Sequence, residues 1–128
     1  MLKDSPAYSS YSVDNLAKAK DFYKTTLGLQ VEGTSVPMPM LRLQLANRGS
    51  VLIYPKDDHQ AASFTVLNFP VDDVEKTVGE LTARGVEFEH YDDEAMMATD
   101  DKGISRGGGV TIAWFKDPAG NVMAILEK

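Results

Sequence analysis

The feature that most constrains the fold is an internal repeat between the two halves of the chain. Val13 corresponds to Val71 at an offset of 58 residues, and Gly28 corresponds to Gly85 at an offset of 57. Internal similarity at a nearly fixed offset is typical of a duplicated structural unit. We therefore expect two tandem modules, the first at about residues 5–56 and the second at about residues 61–128.

Each module contains one segment with helical periodicity. Apolar residues spaced three and four apart form the stripe of each helix: Leu16, Ala19, Phe22, Tyr23 and Leu27 in the first, and Val74, Val78 and Leu81 in the second. We predict that Asp14 caps the first helix and that Gly28 ends it. We predict that Asp72 caps the second helix with Glu75 as its capping-box partner, and that Gly85 ends it.

Alternating and apolar runs predict four strands in each module. The predicted strands are residues 7–13, 29–34, 38–46 and 50–54, and then residues 62–69, 86–90, 110–115 and 122–126. A β-α-β-β-β unit is too small to close its own core. We therefore predict an α+β fold in which two such modules form a curled eight-stranded mixed sheet around a cavity, with the helices outside.

Composition excludes several classes of function. The 128 residues fit one soluble domain, and the absence of cysteine removes disulfides, thiolate metal sites and a cysteine nucleophile. A net charge of −6 disfavours nucleic acid and anionic lipid as partners. No signal sequence or membrane span is predicted, so we expect a cytoplasmic protein.

Three motifs resemble the vicinal-oxygen-chelate superfamily, which includes glyoxalases, bleomycin-resistance proteins and extradiol dioxygenases. They are residues 13–29 in the first module, residues 71–86 in the second, and the hairpin at residues 113–121. Within that hairpin, Asp117, Pro118 and Gly120 have the residue types of a tight turn. We expect those residues to build the fold rather than to carry chemistry.

The resemblance implies four metal-ligand positions, and none of them carries a typical ligand. They correspond to Tyr8, Ile53, Val66 and Ala124, with Tyr54 as the alternative to Ile53 because the register of that strand is uncertain by one residue. A phenol is a poor ligand for a divalent ion, and the aliphatic side chains have no donor atom. We therefore expect no metal and no other cofactor.

Period-two alternation predicts which side chains face the cavity. The predicted ligand-binding residues are Tyr8, Ser10, Arg42, Phe64, Val66, Asn68, His90, Trp114 and Ala124. A one-residue bulge would turn Trp114 away from the cavity. This wall suits a small, partly aromatic or apolar molecule.

Other polar residues lie at a strand end or in predicted loops. At the end of the predicted strand 86–90, His90 is the catalytic candidate, as a base, although a solvated strand-end histidine is the alternative; Tyr8 and Arg42 are the other groups that could act on a carbonyl compound. His59 is interpreted as a solvated turn residue, and Asp92, Asp93 and Glu94 as a solvated acidic loop. Residues 91–109 are long enough for a lid, in which Met96 and Met97 would adapt to a ligand and glycines 107–109 would form the hinge.

Three functions follow from these observations. The first is a metal-independent binding protein of the bleomycin-resistance type. The second is a metal-free enzyme of lyase or isomerase type that acts on a small carbonyl compound, and the third is a metal-dependent glyoxalase or dioxygenase. The resemblance also implies a homodimer, with or without exchange of modules.

Overall fold

The computed structural model describes residues 1–47, 49–92 and 98–127. The chain divides into two compact units, Met1–Gln60 (unit 1) and Ala61–Lys128 (unit 2). In these described ranges, no helix is both long and apolar enough to cross a membrane.

Unit 1 is a four-stranded mixed sheet with one helix. Its elements are β1 (Ser9–Val13), α1 (Leu16–Asp21) continued by a π-helical turn (Phe22–Thr26), β2 (Gln30–Thr34), β3 (Met40–Gln44) and β4 (Ser50–Pro55). The strand order is β1-β4-β3-β2. β1 pairs with β4 in parallel, and the other pairs are antiparallel.

Unit 2 repeats this architecture. Its elements are β5 (Thr65–Val71), α2 (Val74–Ala83), β6 (Ile104–Ser105), a 3-10 turn (Gly107–Gly109), β7 (Ile112–Lys116) and β8 (Val122–Glu127). The order β5-β8-β7-β6 is the order of unit 1, again with a parallel pair between the first and last strands. The α+β fold with two tandem modules is confirmed, and its eight strands are hydrogen-bonded as two four-stranded sheets.

One side of each sheet packs against the helix of the same unit. In unit 1 the hydroxyl of Tyr11 donates to that of Tyr23, 2.9 Å away, and Tyr11 is aligned with Ile53 and Leu41 across the sheet. Ile53 and Leu41 are buried, as Tyr23 is. The core of unit 1 therefore lies between α1 with its π-helical turn and this side of the sheet.

Unit 2 is built in the same way. The carboxylate of Glu127 accepts a hydrogen bond from the backbone N–H of Val74, which ties β8 to the start of α2. Val74, Val78 and Leu81 are the buried residues of α2, as the apolar spacing predicted. Met123, Ile125 and Phe115 are buried in the sheet, and the ring of Phe115 contacts that of Phe88.

Both predicted N-caps were wrong by one residue. Asn15 caps α1 by accepting a hydrogen bond from Lys18 N, and Asp73 caps α2 by accepting one from Lys76 N. Since Asp73 is the cap, Glu75 does not occupy the capping-box position. The predicted C-terminal glycines are confirmed, because Gly28 and Gly85 have φ of 73° and 93°.

The predicted strand at residues 86–90 was also wrong. This segment forms only an isolated bridge, from Phe88 to Phe115, and the fourth strand of the sheet is β6. β6 reaches β7 because Gly103 packs closely against the segment: a Cβ on Gly103 would lie 2.8 Å from Cβ of Phe88. The glycine makes this approach possible, and its φ of 87° also favours glycine.

The hairpin between β7 and β8 has the predicted tight turn. The buried carboxylate of Asp117 accepts hydrogen bonds from Ala119 N, Asn121 N and Asn121 Nδ2 at 2.8–3.0 Å. Gly120 has a φ of 89°, as the left-handed position of the turn requires. These contacts support a structural role for the turn.

Candidate functional site

The side of each sheet that faces away from the helix is called here the open face of that unit. In unit 1 the register aligns Ser10 on β1, Leu52 on β4, Arg42 on β3 and Glu32 on β2 in one row. Ser12 is aligned with Tyr54 in the adjacent row. The open face of unit 1 is therefore mainly polar, with hydroxyl groups at its β1 edge.

Tyr8 and Arg42 meet on this face, as two of the predicted ligand-binding residues. The guanidinium carbon of Arg42 lies over the Tyr8 ring, 5.9 Å from its centre. Arg42 Nη1 also donates a long hydrogen bond of 3.4 Å to Ser50 Oγ. Tyr8 is 59% exposed, so much of its ring remains accessible.

The register corrects one of the four positions implied by resemblance. Ile53 is aligned with Tyr11 and lies on the helix side, whereas the alternative, Tyr54, is aligned with Ser12 on the open face. The difference of one residue inverts the direction of a strand side chain, because alternate residues point to opposite sides.

A second polar group lies at the end of β4. Ser12 Oγ and His59 Nδ1 share a hydrogen bond of 2.6 Å, and the pair is partly buried. The interpretation of His59 as a solvated turn residue was wrong. Beside it, Ser12, Tyr54, Lys56, Asp58 and Gln60 line a shallow depression of about 280 Å³.

Lys56 and Asp58 form an exposed ion pair of 2.7 Å at the rim of this depression. The hydrogen bond from Lys56, followed by its charge, lowers the pKa of the Asp58 carboxyl. The same partner, acting in the opposite sense, raises the pKa of Lys56. Both groups are therefore charged near neutral pH.

The open face of unit 2 is more apolar. Asn68, Ala124 and Trp114 are aligned across β5, β8 and β7. The next row contains Leu126 and Ile112. Trp114 is thus beside Ala124 on one face, as the alternation predicted.

Sequence reasoning missed Tyr91 at this face. Its ring meets that of Trp114 edge to face, with 5.5 Å between the ring centres. Burial, followed by the negative charge of Glu89, raises the pKa of Tyr91, and Lys116 acts against this shift. The residue had been placed in the loop at residues 91–109, where no periodicity pointed to a packed aromatic ring.

Two predicted ligand-binding residues at the start of β5, Val66 and Phe64, do not follow the regular register of the strand. The register shifts between Thr65 and Leu67, so Val66 lies in a bulge. Phe64 precedes the strand and is 68% exposed. Asn68 alone of the three is aligned with Ala124 and Trp114.

The structure does not bring His90 to the open face of unit 2. His90 Nδ1 lies 3.3 Å from the backbone oxygen of Asp100. His90 also lines a groove of about 370 Å³ with Val78, Gly79 and Thr82 of α2. Alternation correctly placed it on the side of Phe88, but that is the side packed against Phe115 and the helix.

Residues 100–106 are held together around Asp100. Its carboxylate accepts hydrogen bonds from Ile104 N, Lys102 N and Arg106 Nη1 at 2.7–2.9 Å. Lys102 and Arg106 also pair with Glu75 of α2. The predicted adaptable residues Met96 and Met97, and the acidic residues Asp93 and Glu94, lie outside the described residues.

The arrangement of two repeated units agrees with the comparisons of this chain with known proteins. Residues 7–125 match the Glyoxalase/Bleomycin resistance protein/Dioxygenase superfamily. The chain belongs to this superfamily. No curated protein sequence matches the chain significantly.

Several solved structures share the fold. A glyoxalase family protein from Enterococcus faecalis is 23% identical with a TM-score of 0.70, and the match covers 99% of this chain and 100% of that one. An antibiotic binding protein from Streptomyces is 23% identical with a TM-score of 0.64, covering 94% of each chain. A lactoylglutathione lyase from Agrobacterium tumefaciens is 20% identical with a TM-score of 0.66, covering 94% of this chain and 90% of that one.

The metal implied by some superfamily members does not fit the residues present here. In unit 1 the implied positions carry the phenols of Tyr8 and Tyr54, and in unit 2 they carry the aliphatic Val66 and Ala124. Divalent ions in such sites need imidazole, amide or carboxylate donors. Within residues 1–47, 49–92 and 98–127, no three histidine, aspartate or glutamate side chains come together as a metal site.

Proposed function

We propose that this chain binds a small, partly aromatic or apolar molecule and does so without a metal ion. The observation that carries the proposal is the chemistry of the open faces: aromatic and aliphatic groups stand where metal-dependent relatives need donor atoms. The residues proposed to contact ligand are those that alternation selected, without His90, which lies beside α2, and without Ala124, which is fully buried, and with Tyr91 added: Tyr8, Ser10, Arg42, Phe64, Val66, Asn68, Trp114 and Tyr91.

The open face of unit 2 supports an aromatic or apolar ligand. Trp114 and Tyr91 already pack edge to face, and an additional ring can extend this arrangement. Ala124 is aligned between Trp114 and Asn68 and is fully buried, so the accessible part of this row is formed by the indole and the amide. The amide of Asn68 supplies one donor and one acceptor for orientation.

Binding is favoured over the metal-free enzyme by the position of His90. A general base must reach the proton that it removes, directly or through one water. His90 lies beside α2 and not in the row of Trp114. This position disfavours a carbonyl-directed enzyme in which His90 is the base.

Trp114 is the single tryptophan of the chain and provides the test. After treatment with a chelator, the protein is titrated with a set of planar aromatic compounds while the indole fluorescence is measured. We expect saturable quenching with unchanged affinity when Zn²⁺, Ni²⁺ or Mn²⁺ is added. Thermal denaturation should show a stabilisation that grows with ligand concentration.

Tyr91→Leu should remove the ring that packs edge to face on Trp114 and weaken binding about threefold to tenfold, since an aromatic pair contributes about 0.5–1.5 kcal/mol beyond its buried area. Glu80→Gln, on the exposed side of α2, is the control and should leave binding unchanged. Stoichiometric metal in the purified protein together with metal-dependent turnover would contradict the proposal. We further propose a cytoplasmic homodimer, to be checked by light scattering and cell fractionation.

A further inference from the structure

Arg42 is the cationic group of the unit 1 open face. Among the residues of β1 to β4 it is the single lysine or arginine, and its side chain is partly buried. In the described ranges no carboxylate lies within ion-pair distance of its guanidinium group, and its hydrogen bond to Ser50 is 3.4 Å long. Most of the five donors of the planar fork are therefore available to another molecule.

Four other basic side chains of the described residues are paired with carboxylates. Ion pairs of 4 Å or less join acidic residues to Lys56, Lys102, Arg106 and Lys116. These pairs are partly or largely exposed, where an ion pair contributes little stability. Arg42 differs from these four residues because its guanidinium group contacts an aromatic ring rather than a carboxylate.

Glu32 is the nearest candidate to neutralise Arg42 within unit 1. The two residues are aligned across β2 and β3. However, Glu32 Oε2 accepts a hydrogen bond from Gln44 Nε2 at 3.3 Å. This bond holds the Glu32 carboxylate at Gln44, which lies two residues after Arg42 in β3. Glu32 contributes a negative charge to this edge, and that charge disfavours a ligand with two or more negative charges.

Tyr8 fixes the position of the guanidinium and adds recognition of its own. Cation–π contact with the ring restrains Arg42 on the open face. Because the Tyr8 ring is 59% exposed, an aromatic ligand can also contact it. Ser50 Oγ accepts a hydrogen bond from the fork, and Ser10 lies further along the row, separated from Arg42 by Leu52.

We infer that Arg42 binds the carboxylate of a monoanionic aromatic carboxylate, whose ring contacts Tyr8. Two N–H groups of the guanidinium donate to the two carboxylate oxygens, the geometry that arginine provides and lysine does not. The single cation and the nearby Glu32 favour one negative charge over the two of a phosphate. This inference rests on the proposed function and specifies the class of its ligand.

The test compares three probes that differ in one property each. Benzoate carries the ring and the charge, benzamide is its neutral counterpart, and cyclohexanecarboxylate keeps the charge without the aromatic ring. Affinities are measured at pH 7 by two-dimensional NMR titration of isotopically labelled protein. We expect benzoate to bind roughly tenfold or more tightly than benzamide, and more tightly than cyclohexanecarboxylate, with shifts at Tyr8, Ser10 and Ser50.

Variants of Arg42 distinguish the contribution of its planar guanidinium group from that of its positive charge. Arg42→Gln should weaken benzoate binding roughly ten- to a hundredfold and change benzamide binding less than about twofold. Arg42→Lys keeps the charge and the fold, and it should recover only part of the loss. Arg84→Gln, at the end of α2, makes the same change in net charge and should leave benzoate binding unchanged.

Equal affinities for benzoate and benzamide, or full affinity in Arg42→Gln, would overturn the carboxylate assignment while the proposed binding function stands. Inorganic phosphate that binds Arg42 more tightly than benzoate would overturn the preference for a monoanion. If neither these probes nor a broad set of neutral aromatic compounds causes shifts at either open face, the inference and the proposed function both fail.

Discussion

Unit 1 presents hydroxyl groups and Arg42 on its open face, whereas unit 2 presents Trp114, Ala124 and Leu126 at the corresponding strands. The sides that pack against the helices are alike: both are mainly apolar and buried, with the same strand order. The two units thus share the apolar character of the side that builds the fold and differ on the face that can meet a ligand. Function in this chain is best read from that second set.

The largest expected effect comes from truncating the helix side. Ile53→Ala and Ile125→Ala should each lower the free energy of unfolding by about 3 kcal/mol, because each removes a fully buried aliphatic group and leaves a cavity. Leu52→Ala, next to Ile53 but half-buried on the open face, should cost about 1 kcal/mol or less. Urea denaturation measures all three variants. Equal losses at positions 52 and 53 would refute the register and with it the distinction between the two faces.

Removing a helix cap should lower the free energy of unfolding by a smaller amount, which should be the same in both units. Asn15→Ala and Asp73→Ala should each cost about 1 kcal/mol, because each leaves a backbone N–H at the start of its helix without its side-chain acceptor. Asp14→Ala and Asp72→Ala are the matched controls and should be close to neutral. If the preceding aspartates proved more important in thermal denaturation, the two units would not share the observed capping.

The smallest effect is a dependence on pH that belongs to unit 2. Burial alone would raise the pKa of Asp100, but hydrogen bonds from Ile104 N, Arg106 and Lys102 N outweigh it and lower the pKa below its usual value. A carboxyl with a lowered pKa in the folded state stabilises that state fully above the unfolded pKa of about 3.9, and this contribution is lost as the pH falls through the folded value.

We therefore expect Asp100→Asn to lower the free energy of unfolding at pH 7, by less than the loss caused by removing a helix cap. The difference should narrow as the pH falls below about 4. Asp101→Asn is the control, and denaturant titrations at several pH values measure both variants. A difference that stays constant from pH 7 to pH 3 would show that the charge of Asp100 is not responsible.

Much of the fold could be predicted because it depends on periodic burial. The stripe of Val74, Val78 and Leu81 identified α2, and the terminating glycines followed from their positions. The caps were misplaced because two residues able to cap stand side by side before each helix. Which of them accepts the hydrogen bond depends on where the extended backbone ends, and residue type alone does not determine this.

The candidate site was predicted less completely because it depends on contacts between segments distant in sequence. The pairing of Ser12 with His59 joins residues 47 apart in sequence. Tyr91 stands in a segment without alternation, so its contact with Trp114 left no local pattern. The segment at residues 86–90 alternated like a strand, yet it forms only one bridge, from Phe88 to Phe115, and Gly103 packs closely against it.

The parallel pairing of the first and last strands of each unit has a consequence for synthesis on the ribosome. β1 cannot acquire its neighbour until residues 51–55 have emerged, and β5 must wait for residues 122–127. Each unit is therefore held open until its final strand is translated, and contacts between distant residues delay folding. A nascent chain arrested before β4 should therefore leave β1 without its parallel partner and be digested readily by protease.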